Sequence, residues 1–225
     1  LSPPTKPSHW EIIDVKCNSI IADIRENDAL QNAFNVAQPE IVFHLAAQPL
    51  VSNSYQMPVE TISVNVVGTA NLLNLACNCK SVKVIVVITT DKVYENKSLA
   101  RGYRESDVLG AVDPYSSSKA CAELVCNAWR KSFAKDSGKL IYSVRAGNVV
   151  GRGDWAADRI VPDAIRAIEK NDILRVRNPN AIRPWQHVLE PLGKHVVVED
   201  FGVVSRHPLE QFADRKGFIN CAKKG

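Results

Sequence analysis

At 225 residues, 45% hydrophobic and 23% charged with 12 Pro and 11 Gly, the chain carries enough apolar sequence to bury a core, which excludes a disordered segment. Its longest clean apolar stretch, Val84 to Ile88, falls far short of the ~20 residues of a membrane-spanning helix, and its Pro- and Ser-bearing start lacks the apolar core of a signal peptide, so a soluble cytoplasmic protein without a membrane partner is expected. The formal charge of +4 comes from Lys and Arg scattered along the chain, which argues against nucleic acid as partner and suits a small anion.

The six cysteines (Cys17, Cys77, Cys79, Cys121, Cys126 and Cys221) form no C-x-x-C, so neither a metal site nor a disulfide framework is indicated, and reduced core thiols are expected. The chain begins Leu1-Ser2-Pro3-Pro4 and has Met57 as its only methionine, so its natural start is expected upstream.

In chain order, the proline-rich start reads as a loop leading to a short segment around Ile12 and Val15, then a strand at Ser19-Ile20-Ile21. Leu30, Ala33, Phe34 and Ala37 recur at helical spacing until Pro39. The run Ile41-Val42-Phe43-His44-Leu45 then reads as a strand buried on both faces. A long helix is predicted from Val59 to Cys77, followed by a β-branched strand from Val82 to Ile88. Asp113-Pro114 caps a helix that runs to Gly138, and Leu140 to Val144 is a third strand. Past Gly151 the pattern weakens: a helix at Ile160 to Ile168, a short strand at Ile173 to Val176 and a helix at Val188 to Glu199. Buried strands alternating with helices predict a doubly wound α/β fold with a parallel sheet, helices covering both faces.

In such sheets ligands bind beyond the carboxyl ends of the strands. Those ends read Ala46-Ala47-Gln48, Thr89-Thr90-Asp91-Lys92 and Arg145-Ala146-Gly147-Asn148, three polar tips that converge on one crevice. In Tyr115-Ser116-Ser117-Ser118-Lys119 the phenol and the ammonium stand at i and i+4, one turn apart on one helix face. A neighbouring cation favours the phenolate and turns a weak acid into a general base for a substrate hydroxyl.

Tyr115 and Lys119, the tip Thr89-Thr90-Asp91-Lys92 and the run His44-Leu45-Ala46-Ala47 resemble the extended short-chain dehydrogenase/reductases that act on nucleotide sugars. Further stretches resemble the CDP-glucose 4,6-dehydratase branch: Gln48-Pro49-Leu50-Val51, Tyr94-Glu95-Asn96, Arg145 to Gly151, Gly153-Asp154-Trp155, Asp158-Arg159 and Arg183 to Leu192. The resemblance covers roughly Leu1 to Leu192. It implies a Rossmann-like NAD domain at 1–150, part of a nucleotide-sugar domain at 151–200 and an unmatched tail at 201–225. It also implies a homodimer and a role in making deoxysugars for cell-surface polysaccharide.

The implied reaction takes CDP-glucose to its 4-keto-6-deoxy derivative with NAD as cofactor. Tyr115, helped by Lys119, takes the C4 hydroxyl proton; Thr90 bonds the same oxygen; Asp91 and Lys92 share the loss of water across C5 and C6. On the cofactor side the resemblance points to Asp23, Ile24, Ala46, Ala47 and Gln48 with Tyr115 and Lys119, and on the substrate side to Asn148, Arg159 and Arg183, whose forks suit phosphate. Asn65 is implied to brace the active-site helix, while His44 and His187 are read as structural.

No G-x-x-G-x-x-G or G-x-G-x-x-G turn occurs in the 225 residues, and the resemblance implies that it lies, with a first βαβ unit, before Leu1. Ser52-Asn53 replaces a more basic pair, and nothing beyond Leu192 matches. Two other readings stay open: another nucleotide-sugar epimerase or reductase built on the same Tyr-Lys pair, or a non-catalytic remnant unable to hold NAD.

Overall fold

The computed structural model describes residues 6, 8, 10, 16–97, 101–151, 153–177, 179, 181 and 183–191. The segment around Ile12 and Val15, the greater part of the Val188–Glu199 helix, Cys221 and the tail lie outside them. The chain divides into two compact units, one of residues 20–97 and 104–146, the other drawn from 1–19, 98–103 and 147–225.

The first unit holds α1 (Asn27–Ala37), β1 (Ile41–His44), α2 (Val51–Gln56), α3 (Pro58–Ile62), α4 (Gly68–Asn78), β2 (Val84–Thr90), α5 (Pro114–Trp129), α6 (Lys135–Ser137) and β3 (Leu140–Ala146). The strands form a parallel sheet in the order β1-β2-β3, with Ile41 opposite Val84 and Val84 opposite Leu140. A parallel neighbour on each side explains why β2 is a β-branched run buried nearly end to end. Phe34, Leu72, Leu73, Ala76, Ile85, Val87, Cys126 and Ile141 form one core in which α1, α4 and α5 meet the sheet. Asp113 caps α5 by accepting from the Ser116 N–H at 2.9 Å, Pro114 fills its first turn, and Gly138 at φ 66° ends the α5–α6 segment.

The predicted long helix is present but not uniform. A π-helical turn, Ser63–Val67, joins α3 to α4 and carries Asn65, which is almost fully buried. π turns mark functional positions more often than chance. Immediately after it, Gly68 lets Ile24 press against the helix: a Cβ there would stand 2.5 Å from Ile24 Cγ2.

Several expectations are corrected. Ser19-Ile20-Ile21 forms no strand; no described strand pairs with it, and Ile20 and Ile21 are 55% and 72% exposed. Strand β1 is not buried on both faces: Ile41 and Phe43, which share one face by the two-residue period of a strand, are exposed. Helix α2 was not predicted. Of the cysteines read as core thiols, Cys126 is buried, Cys77, Cys79 and Cys121 are half-buried and Cys17 is exposed, all five unbridged.

In the second unit, β4 (Asn148–Val150) pairs in parallel with β5 (Trp185–His187), and α7 (Ile160–Glu169) follows the predicted span. Strand β5 was not predicted. Ile173–Val176 is not a strand: Ile173 and Val176 are exposed and no described strand borders them. No helix among the described residues is long and apolar enough to cross a membrane, and none of their His, Cys, Asp and Glu groups could hold a metal.

Candidate active site

Strand β2 ends in Thr89 and Thr90, both buried, and turns at once into a single 3-10 turn, Asp91–Val93. The Thr90 hydroxyl donates to Asp91 Oδ1 at 3.1 Å and accepts from the Lys92 N–H at 3.4 Å. Lys92 Nζ pairs with the same Asp91 oxygen at 3.3 Å. Hydroxyl and ammonium therefore meet on one carboxylate oxygen at the strand tip. Val93, fully buried beneath them, anchors the turn in the core.

Helix α5 brings Tyr115 and Lys119 to the same sheet. Lys119 is 7% exposed, and its Nζ donates to Ile88 O at 3.2 Å, one residue before the two threonines. Burial pushes its pKa down to about 8, so the ammonium persists at neutral pH but without reserve. Tyr115, half-buried, stands one turn earlier on the same face.

A polar bracket surrounds this pair. The Gln48 N–H donates to Asn65 Oδ1 at 2.8 Å, and Asn65 Nδ2 donates to Gln48 O at 3.1 Å and to Ser118 Oγ at 2.8 Å. Ser118 in turn donates to Tyr115 O at 2.6 Å, so Asn65 ties the β1 tip to the Tyr115 turn. The Gln48 side chain is used locally: Oε1 accepts from the Leu50 N–H, and Nε2 donates to Leu50 O and Thr61 Oγ1. Ala46 packs against the core and Ala47 follows it, leaving the β1 tip free of bulky side chains.

His44 is the core residue expected. Thr69 donates its single hydroxyl hydrogen to Asn65 O at 2.6 Å, so His44 Nε2, 2.9 Å away, must be the donor to Thr69. That leaves Nδ1 buried without a hydrogen bond. Burial with the nearby Lys119 charge drives the imidazole pKa down to about 4, and the ring is neutral.

The remaining predicted residues lie elsewhere. Asp23 accepts from Arg25 N, Nε and Nη2, and these bonds bring its pKa down to about 2; Arg25 also donates to Glu60. Ile24 is in the core. Asn148, Arg159 and Arg183 belong to the second unit: Asn148 opens β4, Arg159 precedes α7 and pairs with Asp154 at 3.2 Å, and Arg183 is exposed before β5. His187 is exposed, and its Nδ1 accepts from the Leu189 N–H at 3.4 Å.

One cluster escaped the sequence reading. Glu123, buried on α5 one turn beyond Lys119, accepts from Thr89 Oγ1 at 2.5 Å, Ser143 Oγ at 2.8 Å, and Arg145 Nε and Nη2 at 2.9 and 3.2 Å. Burial pushes its carboxyl up, but the bonds from Arg145, Thr89 and Ser143 prevail and hold it below its ordinary value. Arg145 Cζ lies 4.7 Å from the centroid of the Tyr94 ring. The same i+4 spacing that singles out Lys119 from Tyr115 marks Glu123 from Lys119, and was the available signal.

Comparison with known proteins gives the relationship. The GDP-mannose 4,6 dehydratase family model matches residues 6–196. CDP-glucose 4,6-dehydratase of Salmonella typhimurium is 50% identical over 205 residues, covering 88% of this chain and 57% of that protein. dTDP-D-glucose 4,6-dehydratase of Dictyostelium discoideum is 31% identical over 160 residues, covering 66% and 35%. Among solved structures, the dTDP-glucose 4,6-dehydratase DesIV of Streptomyces venezuelae, crystallised with NAD and TYD, aligns at a TM-score of 0.66 and 25% identity over 74% of this chain and 49% of its own. The chain thus spans about half the length of the relatives it matches. Matched along most of its length and sharing their parallel α/β architecture, the chain belongs to the GDP-mannose 4,6 dehydratase family of extended short-chain dehydrogenase/reductases.

Proposed function

We propose that this chain carries the chemistry of an NAD-dependent 4,6-dehydratase of a nucleoside-diphosphate glucose, with CDP-glucose as substrate. The observation that carries the reading is the β2 tip, where Thr90, Asp91 and Lys92 touch one another beside the helix of Tyr115 and Lys119. Oxidation of an alcohol alone needs only the Tyr-Lys pair, whereas an adjoining carboxylate-ammonium pair suits a further elimination of water. The 50% identity to an enzyme named for CDP-glucose supports the substrate.

NAD, when bound, supplies a reversible hydride acceptor, so the sugar is oxidised and reduced in turn with no net redox change. The residues present fit one end of it. Lys119 has used one of its three donors on Ile88 O, and small residues lead off the β1 tip at Ala46 and Ala47. Asp23, Ile24 and Gln48 complete the cofactor side as proposed. The 225 residues contain no glycine-rich turn for a pyrophosphate, so the proposed contacts stop short of that group.

Tyr115 accepts the proton of the C4 hydroxyl, the Lys119 ammonium favours its phenolate, and Thr90 hydrogen-bonds the same sugar oxygen. The C4 ketone acidifies the hydrogen on C5. Asp91 and Lys92 divide the two remaining transfers, one removing the C5 proton and the other protonating the C6 hydroxyl, which leaves as water. Asn148, Arg159 and Arg183 take the nucleotide and diphosphate. In this reading residues 1–150 hold cofactor and 151–200 substrate, and exposed Val67, Leu124 and Phe133 provide apolar surface for a homodimer.

Tyr115→Phe and Asp91→Asn are each expected to lower turnover of CDP-glucose by about 1,000-fold with folding intact, measured as product formation. Near-normal turnover in either variant would refute the assignment.

A further inference from the structure

The two halves of the proposed chemistry sit on different elements, Tyr115 and Lys119 on α5 and Thr90, Asp91 and Lys92 on the β2 tip. What fixes one half against the other is a separate question from what either does. Resting on the proposed function, we infer that Glu123, Arg145 and Tyr94 are positioning residues that lock the Asp91–Lys92 turn in register with Tyr115.

The lock is continuous. Glu123 stands two turns from Tyr115 on the same face of α5. Its carboxylate takes hydrogen bonds from both neighbouring strands: Thr89 of β2, the residue before Thr90, and Ser143 and Arg145 of β3. Arg145 engages Glu123 through Nε and Nη2 and then covers the ring of Tyr94, the residue immediately after the Asp91–Val93 turn. Arg145 Nη1 is buried without a hydrogen bond, and the guanidinium carbon stands over the Tyr94 ring, whose π face attracts the cation. The far side of the turn is held by backbone: Gly110 N–H to Val93 O at 3.0 Å and Glu95 N–H to Val108 O at 2.9 Å. The turn is therefore clamped between a backbone bridge and the Arg145 plane, and Arg145 is fixed by the helix that carries Tyr115.

An apolar pair would hold α5 against the sheet at less cost, because desolvating two charges commonly exceeds what their attraction returns. The ion pair adds direction. A guanidinium fork accepts one orientation of the carboxylate and one plane for the ring, which fixes sliding and rotation that apolar packing would tolerate. Catalysis that needs two groups on one sugar is sensitive to this, since a misplacement of about 1 Å can cost roughly 100-fold in rate.

The test pairs Glu123→Leu with Arg145→Met, so that no charge is left buried alone, and adds Tyr94→Leu, which removes the ring and the hydroxyl that face Arg145. Both proteins are compared with wild type for kcat and KM on CDP-glucose and for amide exchange by mass spectrometry. The proposal expects a thermal midpoint close to wild type, KM within about twofold, kcat lower by about 100-fold, and exchange in residues 91–96 faster by about tenfold while residues 84–88 are unchanged. Wild-type kcat and wild-type exchange of 91–96 in Tyr94→Leu would overturn it, whether or not the double variant folds. If the wild-type protein turns over no nucleotide sugar, the proposed function fails on its own, and the exchange of 91–96 still decides the lock.

Discussion

The two flanks of β2 behave differently. On the β3 side each strand residue has a partner and the polar side chains Thr89, Ser143 and Arg145 converge on one buried carboxylate of α5. On the β1 side no described strand continues the sheet: Ile41 and Phe43 are exposed, and Ile20 and Ile21, strand-like in sequence, pair with no described strand. The difference teaches that a β-branched run becomes a strand only where backbone donors and acceptors find neighbours. The β1 flank is instead held by side chains, through Ile24 pressed against Gly68 and Asp23 bound to Arg25.

The contrast can be broken first on the β3 side. Arg145→Met alone leaves Glu123 buried without its cation and should cost about 3–5 kcal/mol in denaturant unfolding, most of it regained in the double variant with Glu123→Leu. No loss in the single variant would mean that the pair is not an energetic link. His44, at the junction of β1 and α4, comes next. Its pKa is about 4 in the folded chain and 6.5 ordinarily, so between these values the unfolded chain binds the extra proton. The stability is fully present above pH 6.5 and is lost as pH falls toward 4, by up to about 3 kcal/mol, and His44→Asn should flatten that limb of the stability curve.

On the weaker flank, Gly68→Ala drives a methyl into Ile24 and should destabilise by about 1–3 kcal/mol, relieved when Ile24→Ala is added. Asp23→Asn is the smallest effect, under about 1 kcal/mol, because the Asp23–Arg25 pair remains partly exposed. A larger loss there would show that the flank is anchored by charge rather than by Ile24.

Legibility in the sequence followed the same division. Helices α1, α4 and α5 and strands β2 and β3 were readable because their periodicity is enforced by one core, and Asp113-Pro114 marked the start of α5 from chemistry alone. Tyr115 and Lys119 were readable from spacing. Ile20-Ile21 and Ile173–Val176 misled because apolar β-branched residues report propensity and not the presence of a neighbour. Helix α2 and strand β5 are too short to carry a period. Glu123 was not singled out although it stands at i+4 from Lys119, because a charged residue taken alone reads as surface; Arg145 was read as part of the β3 tip, but not its pairing, because an ion pair between a helix and a strand 22 residues on has no local signature.

The proposed chemistry is elimination of water from a sugar by the β2 tip and α5 together. Its most direct test is to incubate the protein with NAD and CDP-glucose in deuterated water and analyse the product by NMR. The account predicts a 4-keto-6-deoxy sugar carrying solvent deuterium at C5, and Asp91→Asn should suppress it. A C4 epimer that retains its C6 hydroxyl would contradict the account.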